Sequence, residues 1–196
     1  MIKVAVTGNM GSGKSSVCKV FECLGVPVFY ADAEAKKLYS NTGILKILTD
    51  KFGSGILAPD LTLNKKALAE IIFKDKSAIE FVNQLIHPMV FSLFDDWCKN
   101  IKDKPYCIQE AALIFESGSY KKFDRIIVVH APESDLIERT IKRDKISDAD
   151  ARKRLQNQLP QEEKIAKAHY TILNDNSRLI IPVVLQAHQS LSKINN

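Results

Sequence analysis

The chain opens on an almost unbroken apolar run: from Ile2 to Thr7 only Lys3 interrupts a series of β-branched and small residues. Short continuous runs of this kind suit parallel strands covered on both faces, whereas half-exposed strands alternate. Gly8 ends the run and a glycine-rich stretch follows. Val17, Val20, Phe21 and Leu24 then recur at the spacing of a helix that buries one face. Gly25 stands where such a helix would be capped, and a second apolar run extends from Val26 to Tyr30. Strand, glycine loop, helix and strand make a βαβ unit, whose right-handed crossover sets both strands in one parallel sheet. Tyr106 to Gln109, Arg125 to His130 and Tyr170 to Leu173 are further strand-like runs. The pattern predicts an α/β fold with a five-stranded parallel sheet flanked by helices.

Between about Ala33 and Ile101 the periodicity is helical, over far more residues than the dozen or so that a crossover needs. This predicts a helical insertion, broken once around Gly53, Gly55 and Pro59 and again at Pro88, just after His87. From Asp135 to Gln158 the chain is helical and rich in Arg and Lys, and Ser147 with Asp150 forms an S-x-x-D start signal. That segment reads either as a mobile basic lid or as an ordinary amphipathic helical pair. Pro182 falls inside the last apolar run, so the C-terminal helix is kinked or begins later than Ser177.

Composition narrows the partners. With 196 residues, 45% of them apolar, the chain is long enough for one substantial core. A net charge of +5 favours an anionic partner, which a nucleotide satisfies as well as a nucleic acid. The aromatic residues sit mainly at helical core spacings, and Trp97 is preceded by Asp95 and Asp96. A nucleic-acid surface would instead interleave basic and stacking residues, so no nucleic-acid partner is expected. Cys18, Cys23, Cys98 and Cys107 form no C-x-x-C pair and have no His at ligand spacing, so they read as buried or idle thiols. The first apolar run is too short for a signal peptide, and no run reaches membrane-spanning length. A cytoplasmic protein, monomeric or a small homo-oligomer, is the expectation.

Gly8-Asn9-Met10-Gly11-Ser12-Gly13-Lys14-Ser15 carries the chemistry. It matches G-x-x-x-x-G-K-[ST] in the required context, between a buried strand and a helix. Glycines let successive backbone N–H groups turn inward around phosphate oxygens, at the positive end of the following helix. Lys14 then reaches the β- and γ-phosphates of ATP, and the Ser15 hydroxyl ligates the Mg²⁺ that bridges them.

The rest of the site decides what accepts the phosphate. Asp32 lies just past the second strand's carboxyl end, the side where open parallel sheets bind ligands. It is either a general base for an attacking hydroxyl or the N-cap of a helix beginning near Ala33. Glu110 ends the third strand and is a candidate to hold the magnesium's water shell, with Glu116 as the competing position. Arg139 and Arg143, four apart on one helical face, either clamp transferring phosphoryl oxygens or lie solvated on the surface.

Nearly the whole chain resembles the dephospho-CoA kinase family. The matching elements are Thr7 to Ser16, the Gly25-Val26-Pro27 lead into Ala31-Asp32, Leu85-Ile86-His87-Pro88, Leu113 to Gly118 (LIFESG), and Arg139 to Asp144 (RTIKRD). Gln158, Lys164, Ala168 and Asn174 match singly. The resemblance implies transfer of the ATP γ-phosphate to the ribose 3′-hydroxyl of dephospho-CoA, with Asp32 as base. It implies an acceptor held by the helical insertion near His87 and contacted by Glu116. It also implies a loop extending through Ser16, an adenine near Asn174 and a lid over residues 139–158. The chain would then be one P-loop kinase unit: core at 1–32, 102–138 and 159–196, insertion at 33–101. Four positions depart from the family pattern: Tyr30 and Glu110 stand where Asp is usual, Ala112 where Pro is, and Asn176 where Gly is frequent.

Two other classes fit less well. Another nucleoside or nucleotide kinase would share loop, lid and sheet and differ in its acceptor. A GTPase switch would need an N-K-x-D motif, which is absent, and the D-x-x-G match from Asp50 to Gly53 follows a helical pattern and not a strand end.

Overall fold

The computed structural model describes residues 1–194. They fall into two compact units, residues 1–30 with 101 onward, and residues 31–100.

The first unit is built on a five-stranded sheet: β1 (Ile2–Thr7), β2 (Val28–Tyr30), β3 (Tyr106–Glu110), β4 (Arg125–His130) and β5 (Tyr170–Leu173), in the order β2-β3-β1-β4-β5. Every pairing is parallel, with Val4 opposite Ile108 on one side and Arg125 on the other. The first strand is therefore central, which explains its continuous apolar run. Pro27 has no N–H to give a ladder, so β2 begins at Val28, later than its apolar run. The Pro27 carbonyl still accepts the Ile108 N–H at 2.9 Å. β3 extends past its apolar run and carries Glu110 into register with Val6 and Tyr30.

Helix α1 (Lys14–Cys23) follows the glycine loop and closes as its sequence predicts. Gly25 takes φ +76°, its N–H bonds to the Glu22 carbonyl, and the Val26 N–H reaches back to Phe21 O at 3.0 Å. Val17, Cys18 and Phe21 are buried against Val4, Val6, Ile108 and Ile127, together with Val184 and Leu191 of the C-terminal helix.

The second unit holds α2 (Ala31–Leu38), α3 (Thr42–Phe52), α4 (Lys65–Lys74) and α5 (Lys76–Lys99). A short helical turn over Ser54–Ile56 and an isolated bridge between Leu57 and Leu63 occupy the Gly53 to Pro59 break. The second expected break is absent: Pro88 lies inside the 24-residue α5. Proline deprives the carbonyl four residues earlier of its partner, but Gln84 and Pro88 are both exposed, so water can serve that carbonyl. Val82, Ile86, Val90 and Phe94 form an uninterrupted buried face on the other side. Asn41, Asn64 and Asp75 cap α3, α4 and α5 with their side chains, which is how the sequence separates these helices.

Back in the first unit, α6 (Glu133–Asp144), α7 (Asp148–Gln156) and α8 (Gln161–Ala166) lie between β4 and β5, and α9 (Ile180–Ser192) follows β5. Ser147 caps α7 as expected, accepting the Asp150 N–H at 3.1 Å. Helix α9 begins after Ser177 and places Pro182 in its first turn, where a missing N–H costs little. Asn176 takes the left-handed conformation, φ +64°, which asparagine tolerates better than most residues. Among the described residues no helix is long and apolar enough to cross a membrane.

Candidate active site

The glycine loop joins the central strand to α1, at the carboxyl edge of the sheet. Its conformation depends on three positions where nothing larger fits, Gly8, Gly11 and Gly13. A Cβ on Gly8, at φ +150°, would stand 2.0 Å from the Val129 carbonyl oxygen, one on Gly11, at φ +76°, would stand 2.3 Å from the Leu136 carbonyl oxygen, and one on Gly13, at φ +91°, would stand 2.1 Å from Asn174 Nδ2. Gly13 supplies no side-chain cap to α1, so the helix's positive end is left for an anion. Ser15 and Ser16 are exposed at that end.

Lys14 is 9% exposed and its Nζ donates to the Gly8 and Asn9 carbonyls at 3.1 and 3.3 Å, so the ammonium curls over the loop. Asn174, one residue beyond β5, donates from Nδ2 to Ser12 O at 2.9 Å. Arg139 joins the same cluster. Its Nη1 donates to Asn174 O at 2.8 Å and, more weakly, to Gly11 O at 3.5 Å, while Nη2 pairs with Asp135 at 2.9 Å. The Oδ1 of Asn9 and the Oγ of Ser12 are buried without a partner among the described residues. Loop curvature, helix end, Lys14 and these unspent polar atoms fit a triphosphate.

Glu110 is 6% exposed at the end of β3. Its negative charge helps raise the Cys18 thiol, already pushed up by burial, and contributes to raising the Tyr30 phenol, where burial is again the larger cause. The charged form of Arg143 is favoured chiefly by its hydrogen bond to Asp144, with a smaller contribution from Glu110. Arg143 itself is paired with its neighbour Asp144, at 2.7 Å from Nε and 3.1 Å from Nη2, and Arg154 meets the same carboxylate at 3.0 Å. Arg139 is thus at the loop, while Arg143 is held by Asp144 with its side chain 63% exposed. The cluster of Arg143, Asp144 and Arg154 has no sequence signal, because Asp144 and Arg154 stand 10 residues apart across a turn.

Glu116 lies in the segment after β3. Its Oε1 accepts the Leu159 N–H at 3.0 Å and meets Lys164 Nζ at 2.8 Å. Two further bonds tie this neighbourhood to the glycine loop: Met10 N–H to Gln158 Oε1 at 2.9 Å, and Asn9 Nδ2 to Leu159 O at 3.2 Å. A cavity of about 570 Å³ opens beside it, lined by Asn9, Leu136, Arg152, Gln156, Gln158 and Gln161 among others. It adjoins the outer turn of the loop but includes neither Lys14 nor Ser15, so it is not itself the phosphate cradle.

In the second unit, Asp32 is exposed in the first turn of α2, which starts at Ala31. The N-cap reading is therefore corrected: β2 runs straight into the helix, and the carboxylate lies inside the first turn, where the helix dipole favours negative charge. Helices α2 and α5 pack together. Burial lowers the pKa of the half-buried His87 imidazole, prevailing over the opposing pull of the Asp32 charge. His130, at the end of β4, is lowered by burial in the same way, against the opposing pull of Asp175.

These two imidazoles predict an acid-side loss of stability. In the unfolded chain each takes its proton near pH 6.5, whereas in the folded protein it does so only at lower pH. The unfolded state therefore binds more protons as pH falls through that value, and stability drops until the folded pKa is reached. The thermal midpoint should fall between about pH 7 and pH 5, and His130→Gln should flatten the slope.

Among the described residues no group of three or more His, Cys, Asp or Glu side chains is gathered for a metal. A magnesium held through nucleotide phosphates, one hydroxyl and water needs none; Ser15 offers an exposed hydroxyl in the first turn of α1, and Glu110 a carboxylate at the end of β3.

A parallel sheet in the order β2-β3-β1-β4-β5, with a glycine loop and lysine after its central strand, defines a P-loop kinase. Within that class the chain belongs to the dephospho-CoA kinase family, whose model matches residues 2–179. Kinases of this family transfer phosphate from ATP to dephospho-CoA. The dephospho-CoA kinase of Salinibacter ruber is 38% identical over 180 residues, which cover 90% of each chain. Among solved structures, TT1252 from Thermus thermophilus superimposes with a TM-score of 0.87 at 27% identity, over 96% of both chains. The dephospho-CoA kinase from Campylobacter jejuni gives a TM-score of 0.72 at 28% identity, over 99% of this chain and 98% of that one.

Proposed function

We propose that this chain transfers the γ-phosphoryl group of ATP in line to the ribose 3′-hydroxyl of dephospho-CoA, giving coenzyme A and ADP. The observation that carries the reading is the glycine loop, whose three unsubstitutable glycines and overlying Lys14 suit a triphosphate, in a chain of this family. Asp32 accepts the 3′-hydroxyl proton as that oxygen attacks Pγ, and the β–γ bridging oxygen departs with ADP. Lys14 and the loop amides from Gly8 to Ser16 hold the phosphates, with Asn174 toward the adenine. Arg139 and Arg143 offset charge on the equatorial oxygens. Arg143 must first leave Asp144, which the exposure of its side chain permits.

Mg²⁺ would supply positive charge to offset the charge that develops on the transferring phosphoryl group. Ser15 and Glu110 would hold it, directly or through water. Glu116 suits that task less well, because its Oε1 is already shared by Lys164 and Leu159. Its other oxygen is left for the acceptor, for which His87 on α5 is a further candidate contact. With this reading go two small-molecule partners, ATP and dephospho-CoA, and the proposal of a monomer or small homo-oligomer in the cytoplasm that engages neither nucleic acid nor membrane.

The acceptor is tested by ADP release with dephospho-CoA set against nucleosides, nucleoside monophosphates and shikimate. Dephospho-CoA should exceed every other acceptor by at least about a hundredfold in kcat/KM, the discrimination available to a site that hydrogen-bonds its substrate. Equal or greater turnover with a nucleoside monophosphate would replace it with a different acceptor.

A further inference from the structure

Lys164 is fully buried, at 0% exposure, on the six-residue helix α8. A lysine is almost never interred in this way without a partner, since burying its charge costs on the order of several kcal/mol. Its partner is Glu116 Oε1 at 2.8 Å, an ion pair off the line of a good hydrogen bond. Such pairs contribute little net stability compared with an apolar pair of the same volume, so stability alone gives a poor account of this one. What the pair does geometrically is fix Oε1 where the Leu159 N–H requires an acceptor, at 3.0 Å.

Leu159 is gripped at both ends of its backbone, by Glu116 at the N–H and by Asn9 Nδ2 at the carbonyl, 3.2 Å away. The preceding residue, Gln158, accepts the Met10 N–H at 2.9 Å. Asn9 and Met10 form the outer turn of the glycine loop. Their contacts with residues 158 and 159 hold that turn from the side, while Asn174 holds the Ser12 carbonyl at the other end of the loop.

We propose that Lys164 is a positioning residue for the phosphate loop, acting through Glu116 and the Gln158–Leu159 peptide upon Asn9 and Met10. It touches neither nucleotide nor acceptor. Removing its charge leaves Glu116 free to turn toward water, the Leu159 N–H loses its acceptor, and the loop's outer turn loses its lateral support. The proposal rests on the reading that this loop takes the ATP phosphates.

The test is ATP affinity, measured by calorimetry with ATP and magnesium on the full chain, in Lys164→Met, Gln158→Leu and the double variant Lys164→Met with Glu116→Gln. The two single variants should raise the ATP Kd about tenfold, the loss of roughly one or two ordinary hydrogen bonds. The double variant should recover most of that loss. An uncharged amide at position 116 still offers Leu159 a carbonyl oxygen, and no charge is left unpaired. A purely structural pair would move the melting temperature of Lys164→Met and leave its ATP Kd at the native value, which would overturn the proposal. Failure of the double variant to recover affinity would do the same. Should Lys164→Met not fold, Gln158→Leu decides, because its half-exposed side chain leaves the buried pair intact: an unchanged Kd there removes the relay. Lys14→Ala, titrated alongside, separates the two readings. If it abolishes ATP binding while Gln158→Leu and Lys164→Met do not, the relay alone fails; if it too binds ATP normally, the phosphate-loop reading falls and the relay with it.

Discussion

Replacing Asp32 by Asn will lower kcat by roughly 10² to 10⁴ while leaving the ATP Kd nearly unchanged, the range expected when a positioned general base is lost. Asn keeps the size and hydrogen-bonding reach of Asp but cannot take up a proton at neutral pH. Folding should be little disturbed, because Asp32 is exposed and makes no N-cap bond; the change removes only a favourable charge in the first turn of α2, worth about 0.3–1 kcal/mol. Steady-state kinetics with dephospho-CoA, next to calorimetry with ATP, separates the two effects. Full turnover in the variant would remove Asp32 from the chemistry and leave it a helix-terminus charge.

The second large effect is expected of Lys14→Ala. The ammonium curls over the loop, in contact with the Gly8 and Asn9 carbonyls, and the residue is only 9% exposed, so its charge acts on bound phosphate through little water. Losing such a preorganised electrostatic contact should lower kcat/KM for ATP by about 10² to 10³, with any acceptor. Hydrolysis of ATP without an acceptor should fall in parallel. A defect that appears only when dephospho-CoA is varied would contradict the assignment.

Much of the sheet is legible in the sequence because its signals are local. Val4, Ala5 and Val6 must be apolar on both faces of a central strand, and Gly8 and Gly13 stand where backbone and side chain approach too closely for a Cβ. Pro88 misleads, because proline's local rule takes no account of which face of a helix it occupies. Here Pro88 and Gln84 both point outward, and the apolar face decides the outcome. Asp32 is legible at its strand end, but its backbone role is not, since nothing in Tyr30-Ala31-Asp32 marks where the helix starts.

The identity of the acceptor comes from family resemblance and not from residue physics. The Lys164–Glu116 pair is not legible either. A lysine on a short helix reads as solvated, and its burial arises from residues distant in the chain, as does the link from Leu159 to Glu116, 43 residues away. Polar contacts across such separations leave no periodic trace in a single sequence.

The four cysteines differ sharply in access: Cys18, Cys98 and Cys107 are buried and Cys23, at the last residue of α1, is exposed. The Cys18 thiol is further held in its unreactive protonated form by burial and by the Glu110 and Glu22 carboxylates. A maleimide dye added to the native enzyme will accordingly attach at one place, and that place is the far end of the very helix whose first turn would receive the nucleotide's phosphates. The wild-type chain thus comes with a ready attachment point for an optical reporter of ATP loading, without any thiol having to be engineered in or out.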